Sequence, residues 1–282
     1  MTQASAVSVQ RILRDEYCIA VHLFENPLGR GDLILLHGAG VASEATWYPM
    51  ISGFSHYRRV ICPDLRGMGR SHALDFEDRP ITAELVADDM AYVLRRYDVN
   101  QCHMVGYSFG GLIALMVNAR LPKVISALVL LEPALLERVS IGDLRIVRAK
   151  YSEAAEALLT AADPTVGVTR FLDLIAPQRS KHPRVERMTV QRLASRPKGL
   201  AYALMAVNEA AWQVDRTTLI NRAPRTLSLV GSKSIDEAHA LHRSLMKSRH
   251  DWIYQSVAGV DHALPYQKPG VCAALINEHF AV

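Results

Sequence analysis

A chain of 282 residues, 50% apolar and 21% charged, can close one large core, or a core carrying an inserted cap. Its formal net charge of +4, with no basic run interleaved with aromatics, argues against a nucleic-acid partner. No apolar run is long enough to cross a bilayer. Residues 1–32 contain no basic stretch followed by an apolar one, so neither a membrane partner nor a secretory leader is expected. Cys18, Cys62, Cys102 and Cys272 lie far apart in apolar contexts without C-x-x-C spacing. They are expected as reduced core thiols of a cytoplasmic protein.

Strand-like and helix-like runs alternate, which predicts an α/β chain with a mostly parallel sheet. Val7–Arg14 and Tyr17–Phe24 read as two opening strands, followed by a turn over residues 26–31. Leu33–Leu36 is a buried strand ending at His37-Gly38-Ala39-Gly40, and Trp47–Gly53 reads as a short helix. Arg59–Cys62 is a further strand, ending in the turn from Pro63 to Ser71. Thr82–Tyr97 places Leu85, Met90, Val93 and Leu94 near helical spacing. Gln101–Val105 is a short buried strand, Gly111–Val117 begins a buried helix, and Gly106-Tyr107-Ser108-Phe109-Gly110 lies between them. Ala127–Leu131 is a strand ending at Glu132-Pro133.

From about Leu135 to Asn221 no run has strand quality. The stretch reads as helices broken at Asp163-Pro164, Ala176-Pro177, His182-Pro183 and Arg196-Pro197. Alternation resumes with Arg225–Val230, Asp236–Met246, Trp252–Val257 and Val271–Phe280. Helices inserted between two strands of one sheet predict a cap, residues 135–222, on a core built from residues 1–134 and 223–282.

A G-x-S-x-G string on strand–turn–helix has mechanical meaning. The sharp turn lifts the Ser108 hydroxyl above the sheet edge and points a helix N-terminus at the place where negative charge develops. The glycines are needed because the backbones pack too closely for side chains. A serine hydroxyl is a poor nucleophile near neutral pH and needs an adjacent base. His262, in a loop after the final strand, can take the Ser108 proton and return it to a leaving group. His239, His242, His250 and His279 fall in or beside helical patterns and are expected to be solvated; His72 and His103 carry no assigned role.

With His37-Gly38, the Asp64-to-Ser71 turn, the Ser108 turn and His262 in that order, the chain resembles the α/β-hydrolase superfamily over nearly its whole length. The resemblance implies an eight-stranded sheet flanked by helices, with the second strand antiparallel, and a site at the strand C-terminal ends beneath the cap. It implies no cofactor and no metal. The aspartate nucleophile of haloalkane dehalogenases and epoxide hydrolases is replaced here by Ser108, which argues against both activities. Most relatives also carry an aspartate after the seventh strand; here Leu229-Val230-Gly231-Ser232-Lys233-Ser234 puts Ser234 in that place. Glu132, after the sixth strand, is the preferred acid, as in lactonases of the zearalenone-hydrolase type. Asp236, two residues past the usual place, is the alternative acid. The oxyanion hole is expected from the N–H of Phe109 and of Ala39 or Gly40. His37 is expected to brace its loop, and Asp64 and Arg66 to pin a turn. Gly38, Trp47 and Tyr107 are expected to contact substrate.

Residues 137–225 carry 15 Lys/Arg and 9 Asp/Glu, an excess of +6 that leaves −2 for the rest. A solvated helical face accounts for this, and an acidic substrate, carrier protein or anionic surface would also suit it. The expected reaction is hydrolysis of an ester or lactone of a medium-sized, largely apolar small molecule through an acyl-enzyme. A carbon–carbon bond hydrolase needs the same triad. A lyase, a cyclase, a cofactor-free oxygenase and a slow receptor are the other uses of such a fold. A homodimer is compatible with the sequence.

Overall fold

The computed structural model describes residues 7–135 and 140–281. Residues 136–139, at the expected start of the cap, and residues 1–6, in the segment searched for a leader, lie outside the described residues.

The strands are β1 (Val7–Arg14), β2 (Tyr17–Glu25), β3 (Asp32–Leu36), β4 (Arg59–Pro63), β5 (His72–Ala73), β6 (Cys102–Tyr107), β7 (Ile125–Leu131), β8 (Arg225–Gly231) and β9 (Trp252–Val257). The sheet runs β1-β2-β4-β3-β6-β7-β8-β9, with the two-residue β5 beside β2. Strand β2 is antiparallel to β1 and β4, and the pairs from β4 through β9 are parallel. The expected eight strands are therefore joined by one short strand that the sequence reading did not separate from the turn preceding it. Strands β3, β6 and β7 are apolar along most of their length because both sheet faces are covered, as parallel strands require.

Helix α1 (Ser43–Trp47) leads into a 3₁₀ turn over Tyr48–Phe54. Helix α2 (Ala83–Arg96) is capped by the Thr82 hydroxyl, which accepts the Leu85 N–H, and α3 (Phe109–Arg120) follows β6. Met90, Val93, Leu112 and Met116 from α2 and α3 pack on one sheet face. Trp47, Phe54, Ile276 and Phe280 pack on the other. Trp47 is fully buried there, which corrects its expected substrate contact: its place in sequence near a catalytic loop gave no information on where its indole points.

Between β7 and β8 lie α4 (Ile141–Thr160), α5 (Thr165–Ile175), α6 (Pro183–Leu193), α7 (Pro197–Gln213) and α8 (Arg216–Asn221). Pro183 and Pro197 each open a helix, where the missing N–H costs nothing. Tyr151, Leu158, Phe171, Leu200 and Leu204 form an apolar cluster within this helical insertion. Arg196 ties it to the core: its guanidinium donates to the carbonyls of Gly69 (3.0 Å) and Ser71 (2.8 Å) and to Asp78 (2.5 Å). Helix α6 buries only Leu193.

Helices α9 (Asp236–Ser248), α10 (Leu264–Gln267) and α11 (Pro269–Phe280) complete the chain. His239, His242 and His279 are buried, not solvated as the helical patterns suggested. α9 turns its histidine face onto β9, where His239 Nδ1 meets Tyr254 Oη at 2.5 Å and the His242 ring lies nearly parallel to those of Trp252 and Tyr254, at 6.3 and 6.2 Å. No helix among the described residues is long and apolar enough to cross a membrane, and these residues hold no cluster of three or more His, Cys, Asp or Glu side chains that could bind a metal.

Candidate active site

Register brings the site together. Tyr107 on β6 pairs with Leu131 on β7, and Leu131 pairs with Leu229 on β8. The next residues, Ser108 and Glu132, therefore leave adjacent parallel strands at the same level. Backbone hydrogen bonds fix both exits: Ser108 N–H to Leu131 O, Glu132 N–H to Leu229 O and Ala134 N–H to Ser108 O, each 2.9 Å. Ser108 (φ 50°) and Glu132 (φ 46°) both adopt left-handed backbone, an uncommon state for residues with a Cβ. The turn is tight enough that a Cβ on Gly106 would lie 2.5 Å from Gly110 O, and one on Gly110 would lie 2.3 Å from Leu36 O.

His262 Nε2 stands 3.2 Å from Ser108 Oγ, and its Nδ1 stands 3.3 Å from Glu132 Oε2. The other carboxylate oxygen, Oε1, accepts the Gly231 N–H at 2.6 Å and the Ser234 hydroxyl at 2.5 Å. Burial alone would raise the Glu132 carboxyl. The His262 contact, with the Ser234 and Gly231 donors, outweighs it and holds the group below its ordinary range. Glu132 is thus an anion that accepts from three donors, and the imidazole between it and Ser108 can carry a proton in either direction.

Asp236 is exposed in the first turn of α9, where its charge suits the helix N-terminus. The carboxylate on His262 Nδ1 is that of Glu132, which corrects the standing of Asp236 as the alternative acid. Asp261 turns aside: its carboxylate accepts from Ala263 N–H and the Gln267 amide, both at 2.9 Å.

Phe109 opens α3, so its N–H has no acceptor within the helix. Ala39 lines the cavity beside Ser108. The Gly40 N–H instead points to Met68 Sδ at 3.2 Å, which corrects its expected place in the oxyanion hole. His37 braces this loop as expected: Nε2 accepts the Leu65 N–H at 2.9 Å, and Nδ1 donates to Gly38 O at 2.8 Å. Asp64 holds the N–H groups of Ser43 and Arg70 at 2.8 Å, and Arg66 pairs with Asp89 at 2.6 Å.

Above Ser108 lies a cavity of about 260 Å³ between the sheet edge and the helical insertion. Gly38, Ala39 and Tyr107 form its floor; Phe171, Leu172 and Ile175 from α5 and Met188 from α6 form apolar walls. The Tyr107 ring packs 5.4 Å from the His262 ring. Sequence reasoning missed Ser234 as a donor to the acid, and Arg192 and Tyr266 as lining residues. The empty acid position pointed to the first; the other two depend on how α6 and α10 are seated, which no local pattern encodes.

The sequence matches the profile of the alpha/beta hydrolase family over residues 33–275. The chain belongs to this family. A 2-hydroxymuconate semialdehyde hydrolase of Pseudomonas sp. is 34% identical over 108 residues, 36% of this chain and 36% of that protein. A pimeloyl-[acyl-carrier protein] methyl ester esterase of Aliivibrio salmonicida is 31% identical over 177 residues, 61% of this chain and 64% of that protein. The first curated family members that it matches are spanned over little more than a third of their length, 37% and 36%. The enol-lactonase of Burkholderia xenovorans LB400 superposes with a TM-score of 0.75 at 16% identity, over 97% of this chain and 100% of that one. At that identity the likeness is one of fold.

Proposed function

We propose that this hydrolase-family protein cleaves a carboxylic ester or lactone bond through an acyl-enzyme on Ser108. The observation that carries the reading is the continuous hydrogen-bonded line from Ser108 Oγ through His262 to Glu132, at 3.2 and 3.3 Å. His262 removes the Ser108 proton as the hydroxyl oxygen attacks the carbonyl carbon, and the imidazolium is stabilised by Glu132. The oxyanion is held by the N–H groups of Phe109 and Ala39. His262 then gives its proton to the departing alkoxide. Water, deprotonated by the same imidazole, attacks the acyl carbon and releases the acid, restoring Ser108.

The helical insertion serves as the cap in this reading, and its apolar walls favour a compact, largely apolar substrate, since the cavity of about 260 Å³ is small for a ligand site. Carbon–carbon bond hydrolysis is the second reading. It is favoured by the 34% identity to the semialdehyde hydrolase and uses the same base and oxyanion donors.

The test is fluorophosphonate labelling, with p-nitrophenyl ester turnover, on wild type, Ser108→Ala, Glu132→Gln and Asp236→Asn. Rapid labelling lost in Ser108→Ala is expected, with turnover falling on the order of 10³–10⁴-fold in Glu132→Gln and near normal in Asp236→Asn. Folded wild type that neither labels nor turns over any ester would overturn the reading.

A further inference from the structure

The walls that the insertion contributes to the cavity are apolar except at Thr189 and Arg192, three residues apart on one face of α6. No Asp or Glu lines the cavity, so Arg192 is the one permanently charged side chain among its described lining residues. Two other arginines of the insertion are neutralised: Arg179 pairs with Asp173 at 2.7 Å and Glu186 at 3.0 Å, and Arg196 pairs with Asp78 at 2.5 Å. Arg192 has no carboxylate partner among the described residues. Its guanidinium carbon instead lies 4.7 Å from the centroid of the Tyr266 ring, and the cation also hydrogen-bonds the Tyr266 phenol; a neutral phenol leaves the charge of the fork unneutralised.

That position is close to the chemistry. Tyr266 is anchored by its hydroxyl to Thr46 Oγ1 at 2.8 Å, and its ring meets Tyr107 at 6.0 Å; Tyr107 in turn packs against His262. The charge is felt along this line. Burial raises both phenols, Tyr266 to about 12, and Arg192 is among the groups that pull each back down. The carboxylates near the base cannot satisfy it. Glu132 is engaged through both oxygens, and Asp261 is taken up by Gln267 and Ala263.

We propose that Arg192 is a specificity-determining residue that selects substrates bearing a carboxylate, set apart from the scissile carbonyl by a short apolar spacer. The inference rests on the acyl-enzyme reading and narrows its substrate class. Arg192 is half-buried beside apolar walls, and its planar fork matches a carboxylate bidentately. The apolar walls of α5 and α6 cover the spacer. A neutral ester of the same length fills the cavity and leaves the cation unpaired.

The experiment compares matched ester pairs. On the acyl side, the mono-p-nitrophenyl ester of glutaric acid is set against p-nitrophenyl valerate; on the alcohol side, phenyl acetates with and without a para carboxylate are compared. Wild type is expected to favour the charged member of one pair by roughly 10–100-fold in kcat/KM. Arg192→Gln is expected to bring that ratio near one, and Arg192→Lys to keep part of it. Equal turnover of both members of both pairs, or a preference that survives Arg192→Gln, overturns the inference while leaving the hydrolase reading intact. Glutarate titrated into Ser108→Ala by calorimetry separates the two readings if no ester is cleaved. Binding that disappears in Ser108→Ala/Arg192→Gln supports the carboxylate site without any turnover, and absence of binding together with absence of turnover overturns it.

Discussion

The Ser234 hydroxyl and the Gly231 N–H converge on one oxygen of Glu132, at 2.5 and 2.6 Å, and leave the other oxygen for His262. A glutamate has one more rotatable bond than an aspartate, and two donors on Oε1 remove that freedom. Ser234→Ala should lower kcat about tenfold with little change in KM, since a hydrogen bond to a charged group is worth roughly 1.5–3 kcal/mol and here acts on the base. Steady-state kinetics with a p-nitrophenyl ester checks the split; a fall in kcat/KM carried wholly by KM would remove Ser234 from this role. The residues that meet at the site differ in how far the sequence exposed them. Ser108 lies in a local string, and His262 follows a final strand, so chain order sufficed. Glu132 came forward because Ser234 stood where an aspartate was expected. The bond between Ser234 and Glu132 depends on the pairing of Leu131 with Leu229, which is a long-range fact. Trp47 and Gly40 were misplaced for a related reason: nearness in sequence says little about which way an indole or an N–H points.

At the scale of elements, the turn between β6 and α3 is where the strand and helix come closest. A Cβ at Gly110 would lie 2.3 Å from Leu36 O and 2.5 Å from His37 O, both backbone atoms that cannot step aside without moving β3. Gly110→Ala should therefore destabilise the fold by on the order of 1–3 kcal/mol, as overpacking does, and should also shift Ala39, since the loop carrying it follows β3 directly. Thermal unfolding read beside fluorophosphonate labelling tests both parts; a variant with unchanged melting and labelling would refute the clash. Element types were legible because each is strongly patterned. Two-sided burial gave β3, β6 and β7 their apolar runs, and prolines marked where α6 and α7 begin. β5 was hidden because a two-residue strand has no period to detect. The buried faces of α9 and α11 were misread because a histidine that packs against an aromatic ring is indistinguishable in sequence from one in water.

For the whole molecule, His242 sets a pH dependence. Burial pushes its imidazole down to about 4, with Glu132 pulling it upward and His239 pushing it further down. Above the unfolded value of 6.5 neither state binds this proton. Between 6.5 and about 4 only the unfolded chain binds it, so folding loses stability as pH falls, by about 1.4 kcal/mol per unit and roughly 3 kcal/mol in all. His242→Phe keeps a ring against Trp252 and Tyr254 and removes the proton. Urea midpoints from pH 7.5 down to about 4.5 should fall less steeply in this variant than in wild type, and parallel curves would show that His242 does not titrate between the two states. Unlike the helices packed on the sheet, α6 forms a wall of the cavity while committing one side chain, Leu193, to the interior. Residues on such a wall can be exchanged with little loss of folding energy. Under the proposed reading, evolution can therefore rewrite what the cavity accepts, one α6 residue at a time, without touching the turns and loop that hold Ser108, Glu132 and His262.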